Sequence, residues 1–185
     1  MPFTLVTGGA RSGKSTFAQQ IAEPFCDVGY IATAVVTDDE MRRRVRLHQQ
    51  NRPAAWTTYE CPYGLAACLQ TIDHAVLLLD CVTVYLTNAL IKQVGDCENS
   101  IPIPKQIAAE QAILEEMQGI LDVILQRRLN IVMVTNEVGQ GLVPAYPLGR
   151  LYRDIAGRVN QLLGKHADEV YLVSCGIPLQ IKGAK

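Results

Sequence analysis

Gly8-Gly9-Ala10-Arg11-Ser12-Gly13-Lys14-Ser15 fits the spacing G-x-x-x-x-G-K-[ST], which is that of a phosphate-binding loop. The residue types follow from the chemistry. Polyphosphate oxygens must be met by inward-pointing backbone N–H groups, and glycine lets the backbone curl and approach without a Cβ in the way. All eight residues are candidate nucleotide contacts. Lys14 would bridge the terminal phosphates, and the Ser15 hydroxyl would bind Mg²⁺. The helix that begins here would add its positive N-terminal end to the site. The competing reading is a strand-to-helix turn that merely happens to be rich in glycine. The β-branched stretch Thr4-Leu5-Val6-Thr7 before it and the helical pattern after it favour a true nucleotide site.

Two further constellations carry chemistry. Arg42, Arg43, Arg44, Arg46 and Arg52 crowd guanidinium groups into a chain whose net charge is only −1. A solvated basic helix face would account for them. His48, however, stands four residues after Arg44, on the same helical face. Neighbouring positive charge keeps an imidazole neutral, and neutral imidazole is the nucleophilic form. The residues alone leave both readings open. The second constellation is Asp80, which closes the apolar run Ala75-Val76-Leu77-Leu78-Leu79. In phosphate-loop proteins an aspartate ending such a strand reaches Mg²⁺, although a helix cap reads the same way. Asn136 and Glu137 follow another apolar run, Asn130 to Thr135, and are second-tier site candidates.

The elements that must position these residues alternate from end to end. Extended segments are predicted at Thr4–Thr7, Val28–Thr33, Trp56–Cys61, Ala75–Asp80, Asn130–Thr135, Val170–Val173 and Pro178–Ile181. Helical spacing predicts Ser15–Glu23, a helix from Thr37-Asp38-Asp39-Glu40 through His48 toward Asn51, then Tyr63–Leu69, Val82–Val94, Lys105–Arg127 and Leu148–Lys165. The apolar stripe of the fifth of these is Ile107, Ile113, Leu114, Met117, Leu121 and Ile124. Gly95 to Pro104 is turn chemistry, expected as a mobile surface segment. This alternation predicts a single phosphate-loop (RecA-like) α/β domain over residues 1–185. It should have a mostly parallel sheet, helices on both faces, and an antiparallel C-terminal edge formed by a hairpin through Ser174-Cys175-Gly176-Ile177.

Composition bounds the partners. At 185 residues and 49% hydrophobic the chain can build its own core. Near-neutral charge gives no global pull toward nucleic acid or a membrane surface. No apolar run approaches the ~18 residues of a membrane span, and no basic-then-apolar leader opens the chain. The expectation is a cytoplasmic protein with small-molecule partners. Six cysteines occur without a C-x-x-C pair, so reduced, mostly buried thiols are expected rather than a zinc site or a disulfide framework.

A set of blocks in fixed order narrows the reading. Thr7 to Ser15 is followed by Tyr30-Ile31-Ala32-Thr33, Asp38-Asp39-Glu40-Met41, and His48 with Arg52-Pro53. Then come Thr135-Asn136-Glu137-Val138-Gly139 and Tyr152-Arg153-Asp154-Ile155-Ala156-Gly157-Arg158-Val159-Asn160-Gln161. From Thr4 to about Lys182 the chain resembles the bifunctional adenosylcobinamide kinase / adenosylcobinamide-phosphate guanylyltransferase family. The resemblance implies two reactions. ATP or GTP phosphorylates the aminopropanol hydroxyl of adenosylcobinamide. GTP then gives its guanylyl group to that phosphate through a guanylyl-histidine, releasing pyrophosphate. It implies His48 and Lys14 as catalytic residues. Nucleotide contacts would fall on Gly8 to Ser15, on Ala32, Thr33 and Ala34, on Gln49, Gln50, Asn51 and Arg52, and on Glu60 and Asp80. Ser15 and Asp80 would serve Mg²⁺. Asp80 departs from relatives that carry Glu there, its carboxylate one methylene shorter. His74 and His166 match nothing comparable. A homo-oligomer, a trimer in the family, is implied as well. Two other readings remain: a phosphate-loop kinase of another small molecule without the guanylyl step, and a nucleotide-dependent switch without group transfer.

Overall fold

The computed structural model describes residues 3–36, 38, 39, 42, 43, 45, 46, 53–95 and 100–183. Among them, seven strands form one sheet: β1 (Thr4–Thr7), β2 (Val28–Ala32), β3 (Thr57–Glu60), β4 (Val76–Asp80), β5 (Ile131–Val134), β6 (Glu169–Ser174) and β7 (Ile177–Lys182). The helices are α1 (Lys14–Ala22), α2 (Leu65–Thr71), α3 (Val82–Val94), α4 (Ile103–Arg127) and α5 (Pro147–His166). The sheet order is β3-β2-β4-β5-β1-β6-β7. Every pairing is parallel except β6 with β7. The predicted architecture, including its antiparallel C-terminal edge, is therefore the one observed. The β6–β7 turn places Cys175 and Gly176 at φ 54° and 78°, the left-handed pair of a two-residue hairpin loop.

Period-two alternation divides the strands between two cores. Leu5, Ile31, Leu77, Leu79, Ile131 and Met133 join the larger cluster with the buried faces of α2, α3, α4 and α5. Val6, Val28, Tyr30, Val76, Leu78, Val132 and Val134 face the smaller one, with Ala18 and Ala22 of α1 and with Trp56. The small alanines let α1 lie close to the sheet, which brings the phosphate loop at its N-terminus over the strand ends. On the opposite face α4 packs against α2, α3 and α5, and Ile113, Met117, Ile120, Leu121 and Ile124 along it are at most 1% exposed. No described helix is long and apolar enough to cross a membrane.

Two expectations need correction. Ile107, assigned to the apolar stripe of α4, is 61% exposed. The helix starts two residues earlier than its pattern indicates, with Pro104 in its first turn, and at Ile107 it opens on a surface groove shared with Arg158 of α5. Ile120 and Val123 take the buried places instead. The cysteines are not all free and buried. Cys61 and Cys68 are disulfide-bonded, because the chain turns from the end of β3 into α2 between them. Cys26 and Cys175 are exposed, and only Cys81 is a buried thiol among the described residues. Cys97 lies outside them. Of the expected arginine-rich helix, Asp39, Arg42, Arg43, Val45 and Arg46 are helical, while Arg44 and Arg52 lie outside the described residues.

His74, without a role in the family blocks, is structural. Its Nδ1 lies 2.5 Å from Asp27 Oδ1 and its Nε2 2.8 Å from the Tyr59 hydroxyl. These contacts tie the turn before β2 to β3. The hydrogen bond from His74, with a second from the Ala75 N–H, lowers the Asp27 pKa.

The helical layer depends on the centre of α4. Leu121→Ala, at a site with no solvent exposure, should lower the unfolding free energy by about 2–5 kcal/mol. Urea denaturation measures this, and a loss under about 1 kcal/mol would contradict the packing described.

Candidate functional site

One register row organises the site. Glu60 of β3 lies opposite Ala32 of β2, Ala32 opposite Asp80 of β4, Asp80 opposite Val134 of β5, and Val134 opposite Val6 of β1. These strands are parallel, so their carboxyl ends share one edge, where ligands of open α/β sheets bind. Alternation turns Asp80 to the same face as Val76 and Leu78, the face covered by α1. Glu60 and Asp80 are two strands apart, about 10 Å at ordinary strand spacing.

The loop leaves β1 and doubles back over this edge. The Gly8 carbonyl accepts from the Glu137 N–H at 3.0 Å, and the Gly9 carbonyl from the Ser12 N–H at 3.2 Å. The Ser12 carbonyl accepts from the Gly176 N–H at 2.8 Å. A Cβ on Gly8 would sit 2.4 Å from the Val173 carbonyl oxygen and 2.6 Å from Ser12 Oγ, so no side chain fits. Gly13 has φ 95°, and a Cβ there would lie 3.1 Å from Gly176 Cα. Gly13 is also the N-cap of α1, which carries no side-chain cap. The first-turn N–H groups of α1 are thus left for a ligand.

Lys14 is buried, and its Nζ donates to the Gly9 carbonyl at 3.1 Å. Burial lowers its pKa, with the Asp80 carboxylate opposing the shift. Cys81 stays a neutral thiol near pH 7, because burial and then Asp80 push its own pKa up. Ser15 Oγ donates to Asp80 Oδ1 at 3.3 Å, and the Tyr30 hydroxyl to Asp80 Oδ2 at 3.1 Å. No group of three or more His, Cys, Asp or Glu side chains is gathered around a possible ion among the described residues. A hydroxyl and a carboxylate side by side suit Mg²⁺, which takes one or two protein oxygens and completes its shell with phosphate oxygens and water.

A cavity of about 690 Å³ opens over this group. Of the candidates named from sequence, Ala10, Arg11, Ser12, Gly13, Lys14, Ser15, Ala32, Ala34 and Asp80 line it. Gly8 and Gly9 anchor the loop at its entrance. Thr33 does not line it. Its hydroxyl donates to the Cys81 carbonyl (2.8 Å) and accepts from the Cys81 N–H (3.1 Å), while its own carbonyl accepts from Asn88 Nδ2 (2.8 Å). Thr33 thereby pins β2 to the turn after Asp80. Glu60 stands exposed at the end of β3, in the same row but off the cavity wall. His48, Gln49, Gln50, Asn51 and Arg52 lie outside the described residues.

Sequence reasoning missed Tyr30, Cys81 and Val84 on the wall and Gly176 behind the loop. Alternation along β2 turns Tyr30 toward α1 with Val28, which is a readable signal. Gly176 has none, since its contact with Ser12 is set by tertiary structure. Asn136, a second-tier candidate, does line the cavity, whereas Glu137 contributes its backbone N–H.

Loop, lysine, hydroxyl and strand-end acid at one parallel edge define a phosphate-loop nucleotide-binding enzyme. The fold alone is shared with a protein of Pyrococcus horikoshii OT3 (TM-score 0.53, 7% identity, covering 100% of this chain and 87% of that one). The family model for cobinamide kinase / cobinamide phosphate guanyltransferase matches residues 4–181, and the chain belongs to that family. It is 45% identical over 181 residues to the bifunctional adenosylcobalamin biosynthesis protein CobU of Salmonella typhimurium LT2, covering 96% of this chain and 98% of that protein. It is 40% identical over 182 residues to the corresponding protein CobP of Pseudomonas aeruginosa, covering 97% of this chain and 96% of that protein.

The burial of Lys14 has a sign that can be checked. Its folded pKa lies below the unfolded value of 10.5, so the folded state bears a desolvation penalty at neutral pH, relieved as pH rises through the folded pKa toward 10.5. Lys14→Met should therefore melt at the wild-type temperature or up to about 3 °C above it at pH 7 without nucleotide. The difference should shrink toward pH 10, and the variant should lose the rise in melting temperature that ATP or GTP gives the wild type. Thermal scans with and without nucleotide measure all three.

Proposed function

We propose that this single domain, over residues 1–185, carries out both family reactions at the one cavity above the β1, β4 and β5 ends. The observation that carries the reading is the meeting of Lys14, Ser15 and Asp80 beside a loop whose Gly8, Gly9 and Ser12 carbonyls are already hydrogen-bonded within the protein. In the first reaction the aminopropanol hydroxyl of adenosylcobinamide attacks the γ-phosphorus of ATP or GTP. The bond to the β,γ-bridging oxygen breaks, and the nucleoside diphosphate leaves. Loop amides between Gly9 and Ser15 other than that of Ser12, which the Gly9 carbonyl takes, hold the phosphates, and Lys14 neutralises charge on the group in flight. Ser15 and Asp80 would hold Mg²⁺, which when bound supplies further neutralisation at the phosphate oxygens.

In the second reaction the His48 imidazole attacks the α-phosphorus of GTP, and pyrophosphate leaves into the loop. The phosphate of adenosylcobinamide phosphate then displaces His48, giving adenosylcobinamide-GDP. Support for His48 is its place four residues before Arg52-Pro53 and the run of arginines near it in the sequence, since positive neighbours favour the neutral, nucleophilic imidazole. The base and ribose would be met by Ala32 and Ala34, with Thr33 holding that segment in place from behind, by Gln49, Gln50, Asn51 and Arg52, and by Glu60 at the far end of the register row. The same reading makes the protein a cytoplasmic homo-oligomer, a trimer by family resemblance, with no nucleic-acid partner.

Incubation with α-labelled GTP should give an acid-labile adduct that is absent from His48→Ala, while His48→Ala still phosphorylates adenosylcobinamide. An adduct that persists in His48→Ala, or none in the wild type, would leave a kinase without the guanylyl step.

A further inference from the structure

β5 ends between β1, which feeds the phosphate loop, and β4, which ends in Asp80. Asn136, two residues past that end, reaches the cavity wall between the two. Its backbone is fixed: the neighbouring Glu137 N–H donates to the Gly8 carbonyl, tying the segment to the loop (3.0 Å). Its own carbonyl accepts from Asn160 Nδ2 of α5 at 3.0 Å. The other end of the Asn160 carboxamide, Oδ1, accepts from the buried Thr135 hydroxyl at 2.7 Å, so one side chain clamps two consecutive residues. The Asn136 side chain is fixed as well. Its Nδ2 donates to Oγ1 of buried Thr83 at 2.7 Å, and the Thr83 carbonyl accepts from the Tyr152 hydroxyl at 3.0 Å. Burial pushes the Tyr152 hydroxyl up to about 12, so it remains a donor throughout the physiological range.

At the cavity wall, α3 holds the Asn136 carboxamide through Thr83, and α5 holds the Asn136 backbone carbonyl through Asn160. Only one of the Asn136 amide hydrogens goes to Thr83, and its second amide hydrogen and Oδ1 have no partner among the described residues. Asn136 lines the same cavity as the phosphate loop and the strand-end acid, and a fixed donor on that wall suits a terminal phosphoryl group on which charge develops. Preorganised donors of this kind act because they need no reorientation during the reaction.

We propose that Asn136 donates its second amide hydrogen to the terminal phosphoryl group during transfer to cobinamide, and that Asn160 is a positioning residue acting through Asn136. The inference rests on the kinase reading above. The bond from the acceptor oxygen to the γ-phosphorus forms as the bond to the leaving diphosphate breaks, and the hydroxyl proton passes to solvent. Asn136 neither gains nor loses a proton, so its role is a neutral hydrogen bond.

Steady-state kinetics on the full chain test this. Asn136→Ala should lower kcat for cobinamide phosphorylation about 100-fold or more, with KM for ATP within about threefold. Asn136→Asp, of the same shape but with an acceptor for the donor, should lose at least as much. Asn160→Ala should lose about tenfold or more in kcat, and the double variant Asn136→Ala/Asn160→Ala should be no slower than Asn136→Ala alone, because the second residue acts only through the first. A kcat for Asn136→Ala within about threefold of wild type, or a loss carried by KM instead, would overturn the contact. Losses that multiply in the double variant would overturn the positioning role. A wild-type chain that does not phosphorylate cobinamide would overturn the proposed function itself, which keeps the two failures distinct.

Discussion

A phosphate loop works only if its N–H groups face the ligand, and that requires its carbonyls to face away and find donors elsewhere. Much of the fold can be read as meeting this constraint. The Gly8 carbonyl takes the Glu137 N–H from the end of β5, and the Ser12 carbonyl takes the Gly176 N–H from the β6–β7 turn. The Gly9 carbonyl takes the Ser12 N–H and Lys14 Nζ. An unpaired buried carbonyl would cost about 1–3 kcal/mol. The hairpin at the antiparallel edge is therefore part of the site although none of its residues lines the cavity. It also explains why Gly8 and Gly13 must lack side chains: the Val173 carbonyl and the Gly176 backbone occupy that space.

The second determinant is sheet polarity. Parallel strands deliver Ala32, Asp80 and Asn136 to one edge, and a row of paired residues spaces them from Glu60 to Val6. Two transfer reactions with different target phosphorus atoms can then share one phosphate grip. What changes between them is which phosphorus meets a nucleophile. In the proposed scheme the loop holds a γ-phosphate to be transferred in one case and a departing pyrophosphate in the other.

Much of this was legible in the sequence because it is written in short, regular patterns. The loop is eight consecutive residues, the strand-end Asp80 follows an apolar run, and alternation alone assigns Asp80 and Tyr30 to the α1 face. What was not legible depends on how distant segments meet. Gly176 reaches Ser12 across most of the chain. Thr33 reads as a nucleotide contact, yet its hydroxyl is engaged with Cys81 on the neighbouring strand. Ile107 obeys the helical period but lies where α4 has no partner over it. The Cys61–Cys68 bond depends on a turn whose direction spacing does not reveal. The segment Gln49–Arg52 with His48 rests on resemblance and on the local charge pattern.

The central claim is that a single phosphate grip serves both nucleotide reactions. Calorimetric titration of the wild-type chain with non-hydrolysable analogues of GTP and ATP tests it most directly. The account predicts one nucleotide bound per chain and complete displacement of either analogue by the other. Two nucleotides bound at once to the same chain, one at the loop and one elsewhere, would contradict it.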